Sequence, residues 1–199
     1  VTAITIPLAG TPAPDAYAVL DSGHPVDGHV RDKLKVLGFT PSAMAPETTW
    51  LRRAHLRIIG RLPTSAEVTA FLADKSPDKR EKVIDKLLER PEYADFWANK
   101  WADLLQVNRR FLGEEGAKQF REWIRAEVAA NTPYDAFVRK IITARGSTRE
   151  NPAASYYKVL RTPTETMENT THLFLATRFN CNKCHDHPFE RWTQDQYFQ

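Results

Sequence analysis

The sequence has only two cysteines, no block of like charge and no long apolar run. No stretch is long and apolar enough to predict a helix that spans a bilayer. Basic and acidic side chains are mixed along all 199 residues and leave a formal charge of only +3. Neither a nucleic-acid-binding arm nor a basic membrane-binding patch is therefore expected. The chain is long enough to bury an apolar core, so a folded domain is expected.

Both cysteines lie in one short stretch near the end of the sequence. Cys181 and Cys184 are separated by two residues, and His185 follows directly. C-x-x-C-H is the attachment sequence of c-type haem, in which the thiols add to vinyl groups and the histidine binds the iron. This spacing puts the thiols about one helical turn apart, which suits two vinyl groups on one edge of the porphyrin. The motif predicts a covalent haem c that serves electron transfer.

A C-x-x-C pair also fits other chemistries. It is compatible with a redox dithiol or a disulfide, and with zinc bound by Cys181, Cys184, His185 and His187. Four zinc ligands within seven residues would be crowded, since zinc sites usually draw their ligand pairs from separated stretches. A thioredoxin-like dithiol normally lies beside a β-α-β pattern, which the sequence does not show. Haem c is the favoured cofactor, and zinc is the alternative.

The second axial position of a haem iron would decide its chemistry. Met167 and His172 lie on the helix that is predicted to lead into the motif, so each is a candidate for that position. Met167 also suits the core, and His172 also suits an exposed surface. His187 is too close to His185 to bind the opposite face of the same iron. It is instead a candidate for orienting the surroundings of His185, for binding a haem propionate or for binding another metal.

Two arginines flank the motif. Arg178 and Arg191 are candidates for binding a haem propionate, because a guanidinium group matches the geometry of a carboxylate. Exposed surface charge is the ordinary alternative for both.

Three functions are compatible with the motif. The favoured one is an electron-transfer module that acts with a redox partner protein and contacts neighbouring domains of its own chain. The second is a haem enzyme with an open coordination position that acts on a small ligand such as peroxide. The third is a structural or interaction domain with a disulfide or zinc at the motif. Because haem c is attached outside the reducing cytosol, the first two imply a secreted, periplasmic or cell-surface protein.

Apolar residues from Val26 onward recur at helical spacing. Thr64 and Glu67 form the pattern of a capping box, and Thr162 before a proline predicts another helix start. Gly113 and Gly116 flank a predicted break between two helices. An aromatic stripe predicts core packing, with a haem wall as the alternative; it consists of Tyr93, Phe96, Trp97 and Trp101. The predicted fold is mostly α, a multi-helix domain with short, proline-marked loops.

The first residues follow a different pattern. Residues 1–8 alternate apolar and polar side chains, as a β-strand does, and two prolines then mark a linker. We therefore expect a strand remnant and linker at residues 1–25 and the helical domain at residues 26–199. A start at Val1 rather than Met indicates a mature or excised chain. Aromatic residues at the other end indicate that the helical domain continues beyond Gln199.

The chain also resembles a known family. The matching segments include L-R-R followed by I-G-x-L-P-T, and they lie at residues 51–64, 71–74, 91–93, 97–104, 131–138 and 181–189. They resemble a planctomycete secreted cytochrome-like family, a domain of unknown function with a C-terminal C-x-x-C-H-x-H-P-F motif. Residues 1–8 resemble the last strand of a bacterial immunoglobulin-like domain. The resemblance implies export and haem attachment, and it implies no particular reaction.

Overall fold

The computed structural model of the chain describes residues 14–21 and 23–198. These residues form helices joined by short loops and contain no β-strand, which confirms the predicted mostly-α fold. The strand predicted at residues 1–8 lies outside the described residues. The chain divides into two compact units after Leu51. The expected domain limits at residues 1–25 and 26–199 stay a prediction.

The first unit contains a 3-10 helix and an α-helix. The 3-10 helix runs over Pro14–Leu20, and α1 runs over Pro25–Leu37. The imidazole of His24 accepts a hydrogen bond from a backbone N–H in the first turn of α1, and Gly38 ends the helix with a φ of 70°. Helix α2 (Glu47–Ile58) begins in this unit and continues into the next.

Among the described residues, the second unit adds eight α-helices. They are α3 (Ser65–Ala73), α4 (Lys79–Leu88), α5 (Pro91–Leu104), α6 (Arg109–Ala129), α7 (Tyr134–Ile142), α8 (Ser155–Leu160), α9 (Pro163–Leu175) and α10 (Gln194–Phe198). Short 3-10 helices lie at Pro152–Ala154 and Asn180–Lys183. Of the two glycines predicted to flank a break, Gly113 has non-helical angles inside α6, φ 73° and ψ 174°, whereas Gly116 lies within the helix.

Two predicted helix starts have the expected caps. The hydroxyl of Thr64 accepts a hydrogen bond from the Glu67 N–H at 3.3 Å. The Glu67 carboxylate in turn accepts one from the Thr64 N–H at 2.6 Å, which completes the capping box. At the start of α9, the hydroxyl of Thr162 accepts from the Glu165 N–H at 3.1 Å. These bonds satisfy N–H groups that have no partner within their own helix.

The core of the second unit lies between α5, α6, α7 and α8. It consists of mostly large side chains with little or no exposed surface: Ala98, Leu105, Leu112, Phe120, Ile124, Phe137, Ile141, Tyr156, Val159 and Leu160. Full burial stabilises a folded chain by about 1.5–3 kcal/mol for each large side chain. The aromatic stripe of α5 contributes to this core, since the ring of Trp101 lies 5.0 Å from that of Phe137.

Candidate functional site

The C-x-x-C-H motif lies in residues 179–198, which we call the motif segment. The N–H groups of Cys184 and His185 donate to the carbonyl oxygen of Cys181, at 3.3 and 3.4 Å. These bonds wind the motif into a single turn and separate the two thiols by one turn, as the spacing predicts. Both cysteines are free and exposed. The thiols are therefore open to a ligand that approaches from solvent.

A hydrogen bond to the backbone selects one tautomer of the His185 ring. Its Nδ1 atom lies 2.6 Å from the carbonyl oxygen of Asp186. A carbonyl oxygen only accepts hydrogen bonds, so Nδ1 donates and the lone pair of the neutral ring is on Nε2. A bond from Nδ1–H to a backbone carbonyl commonly orients a histidine that binds a metal through Nε2. The ring is exposed and has the tautomer that an axial iron ligand needs.

His187 holds the opposite tautomer. Its Nδ1 atom accepts hydrogen bonds from the backbone N–H groups of Phe189, at 3.2 Å, and Glu190, at 3.0 Å. The neutral ring therefore carries its hydrogen on Nε2, which makes that atom a donor. The backbone N–H of His187 donates to the carbonyl oxygen of Trp192 at 2.8 Å. Through these hydrogen bonds, His187 stabilises the turn that follows the motif.

Asn182 connects the motif to the chain that returns beside it. This residue lies between the two cysteines and has no exposed surface. Its Nδ2 atom donates to the carbonyl oxygens of Trp192, at 2.7 Å, and Thr193, at 3.2 Å. Its Oδ1 atom is buried and accepts no hydrogen bond from the described residues. Sequence reasoning assigned Asn182 no role, because the spacing of the motif says nothing about which spacer residue is buried.

The motif segment is also tied to α9. The hydroxyl of Tyr197 donates to the carboxylate of Glu168 at 2.6 Å. Burial, this hydrogen bond and the negative charges of Glu168 and Cys184 together raise the pKa of Tyr197 to about 12. No motif or periodicity predicts this contact, which joins residues 29 positions apart. It brings the end of the motif segment, α10, against one side of α9.

The two candidate axial ligands on α9 lie on different sides of the helix. His172 lines a pocket of about 360 Å³ together with Glu168 and Asn180, the first residue of the motif's 3-10 helix. Met167 lines a separate pocket of about 530 Å³ that no residue of the motif segment lines. His172 therefore shares a pocket with the residue that precedes Cys181, although Cys181, Cys184 and His185 do not line this pocket, and Met167 shares none with the motif segment.

The two arginines flank the motif on the surface. Arg178 is exposed, and so is Arg191, whose guanidinium carbon lies 5.1 Å from the ring centre of Trp192. The propionate-binding role of both stays a prediction. Three rings of the aromatic stripe, those of Tyr93, Trp97 and Trp101, line a pocket of about 440 Å³ that includes no residue of the motif segment, which favours core packing over a haem wall.

In residues 14–21 and 23–198, no group of three or more His, Cys, Asp and Glu side chains is placed to hold a metal ion. Within the same ranges, no helix has the length and apolar character needed to cross a membrane.

Comparison with known proteins identifies a family. Residues 25–199 match the model of a family described as PSCyt2, protein of unknown function (DUF1549). No curated protein and no solved structure matches the chain. The family description names no reaction or ligand, so a function must be argued from the site itself. The family match covers most of the chain, which therefore belongs to the PSCyt2 family of proteins of unknown function.

Proposed function

We propose that the chain is a c-type haem-binding module of a larger exported protein and that it transfers electrons. One arrangement carries this proposal: a single exposed turn presents two free thiols and an adjacent imidazole with its lone pair on Nε2. The thiols belong to Cys181 and Cys184, and the imidazole belongs to His185. Two thiols and one axial histidine are the groups that attach haem c.

The attachment chemistry needs only what the turn provides. Each thiol adds across the C=C bond of one vinyl group: sulfur bonds to one carbon, and the thiol hydrogen moves to the other. No group leaves, and no oxidant or reductant is consumed. When bound, a haem supplies an iron that gains and loses one electron. Because Cys181 and Cys184 are exposed, a cofactor attached there would lie near the surface and within reach of a redox partner protein.

The tautomers of the two histidines support haem over zinc. A zinc site built on this stretch needs both thiolates and a lone pair from both His185 and His187. The Nδ1 lone pair of His187 already accepts two backbone hydrogen bonds, and its Nε2 carries the hydrogen. One axial imidazole, from His185, is what haem attachment requires. The local hydrogen bonds therefore favour haem c as the cofactor.

The test is covalent haem content. The full chain is produced in a bacterium that exports it and carries haem-attachment machinery, and its intact mass and pyridine-haemochrome spectrum are recorded after denaturation. We expect one haem per chain in the unsubstituted protein and none in the variant Cys181→Ala, Cys184→Ala. A colourless protein with the mass of the bare polypeptide would contradict the proposal.

A second comparison tests the histidine assignment. His185→Ala should change the visible spectrum of the attached haem strongly, because it removes the axial imidazole. His187→Ala is the matched control and should change it less, since that ring only orders the turn. Equal spectra for the two variants would contradict the assignment of His185 as the axial ligand.

A further inference from the structure

Two side chains on α9 are candidates for a second axial ligand, and they lie on different sides of the helix. Met167 and His172 are five residues apart on one helix. At about 100° per residue, their side chains point about 140° apart around the helix axis. Only one of them can lie on the side of α9 that the motif segment contacts.

The contact between Tyr197 and Glu168 identifies that side. The Tyr197 hydroxyl donates to the Glu168 carboxylate at 2.6 Å, so the motif segment packs where Glu168 points. Residues four apart in an α-helix are neighbours on one face, and His172 follows Glu168 by four residues. His172 therefore lies on the face of α9 that contacts the motif segment.

The pockets beside α9 lead to the same assignment. His172 and Glu168 share a pocket with Asn180, which directly precedes Cys181. Met167 instead lines a pocket with Ile142 and Tyr157, on α7 and α8. His172 is also exposed, whereas Met167 is half-buried.

We propose that His172, and not Met167, is the second axial ligand of the iron, opposite His185. This inference rests on the proposed function, because it presupposes a haem attached at the motif. Two imidazole ligands leave no open position for a small molecule, which favours electron transfer over peroxide chemistry. They also give the iron a lower reduction potential than one histidine and one methionine would give.

Spin state tests the assignment on the full, haem-loaded chain. The ferric form should be low spin by electron paramagnetic resonance and visible spectroscopy. His172→Ala should convert it to high spin, and Met167→Leu, the matched control on the same helix, should leave it low spin. Imidazole added in solution should restore the low-spin spectrum of His172→Ala. A purely structural role for His172 would not be rescued in this way.

The reduction potential gives a second readout. His172→Met should stay low spin and raise the potential, since a thioether ligand favours the ferrous state. An unchanged low-spin spectrum in His172→Ala, or loss of low spin in Met167→Leu, would overturn the assignment while haem attachment stands. A high-spin unsubstituted protein would overturn it as well. A chain without covalent haem would instead overturn the proposed function, and this inference with it.

Discussion

The core of the second unit and the motif segment are held by different interactions. In the core, Phe120, Ile124 and Ile141 have no exposed surface. In the motif segment, the most completely buried of the described side chains is the amide of Asn182. Hydrophobic burial is non-directional and stabilises the fold as a whole. Hydrogen bonds from a buried amide are directional, so they fix the shape of one turn.

Because of this difference, the residues that stabilise the fold are not the residues that meet a ligand. The reactive groups of the motif must face outward to meet a ligand, so their turn has little apolar surface with which to anchor itself. Polar bonds from Asn182 and His187 to the returning chain replace that anchor. We therefore expect substitutions in the core to lower the stability of the whole unit. Substitutions in the motif segment should loosen that segment and leave the helices folded.

The largest expected effect is that of Phe120→Ala in the core. Phe120 has no exposed surface, and truncation leaves a cavity among tightly packed side chains. The free energy of unfolding should fall by about 3–5 kcal/mol, measured by denaturant titration followed by circular dichroism. Phe189→Ala makes the same change in the motif segment, where the ring is 90% exposed, and should shift stability by less than about 0.5 kcal/mol. Similar losses of unfolding free energy for both variants would contradict the difference between the core and the motif segment.

A smaller loss is expected for Gly60→Ala, which tests packing at a helix end. Gly60 has a φ of 71°, and a Cβ atom there would lie 2.2 Å from Cδ2 of Phe96. Strain and the clash together should cost about 3 kcal/mol. Gly146→Ala is the matched control, because its φ is 89° and no atom lies within 4 Å of its Cβ position. It should cost only the strain, about 1 kcal/mol.

Equal losses for the two glycine variants would show that the ring of Phe96 moves aside. Packing at this point would then be looser than the structure indicates. The measurement is the same denaturant titration, with the midpoint and the slope both compared, because a changed slope would indicate a change in the unfolded or native ensemble.

Local signals made much of the fold predictable. The capping box of Thr64 and the cap of Thr162 depend on residues within one turn, so sequence reasoning identified both. The break at Gly113 was predictable for the same reason, since a positive φ favours glycine. The spacing of Cys181 and Cys184 likewise indicates a single turn. Each of these features is decided by neighbours in the chain.

Features that depend on distant residues were not predictable. The burial of Asn182 depends on carbonyl groups ten and eleven residues away. The side of α9 that the motif segment contacts depends on Tyr197, and no periodicity in the sequence encodes that pairing. The tautomers of His185 and His187 depend on backbone positions in the turn. Sequence reasoning therefore left Met167 and His172 as equal candidates.

Asn182→Ala should have a smaller and more local effect. It removes two hydrogen bonds and leaves a cavity beneath the motif, at a cost of about 2 kcal/mol. Hydrogen exchange should show the loss at the His187 amide, which donates to the same Trp192 carbonyl. Amides in α6 should keep their protection. Asn180→Ala, an exposed neighbour, is the matched control and should change neither region.

If protection were lost equally in α6 and in the motif segment, the two regions would unfold as one unit. The expectation that the motif segment loosens while the helices stay folded would then be wrong. Unchanged exchange at His187 in Asn182→Ala would show that the buried amide does not hold the turn.

The smallest expected effect concerns the bond between the motif segment and α9. Tyr197→Phe removes the hydroxyl that donates to Glu168 and should cost about 1 kcal/mol at neutral pH. Folding raises the pKa of Tyr197 from its ordinary value of 10.0 to about 12, so the folded state holds this proton more tightly than the unfolded state. The stabilisation is therefore complete below pH 10 and is lost as pH rises toward 12.

The unfolding free energies of the unsubstituted chain and of Tyr197→Phe should thus converge over that alkaline range. Other tyrosines titrate in both proteins, so the difference between the two isolates Tyr197. Glu168→Gln is the control: it keeps an acceptor oxygen but removes the negative charge that raises the pKa of Tyr197. Convergence should still begin near pH 10, where the unfolded chain titrates, and should be complete at lower pH, because the pKa of Tyr197 in the folded state is raised less. A difference that stays constant with pH would mean that the hydroxyl of Tyr197 is not held by Glu168 in solution, and it would remove the contact that directs His172 toward the motif.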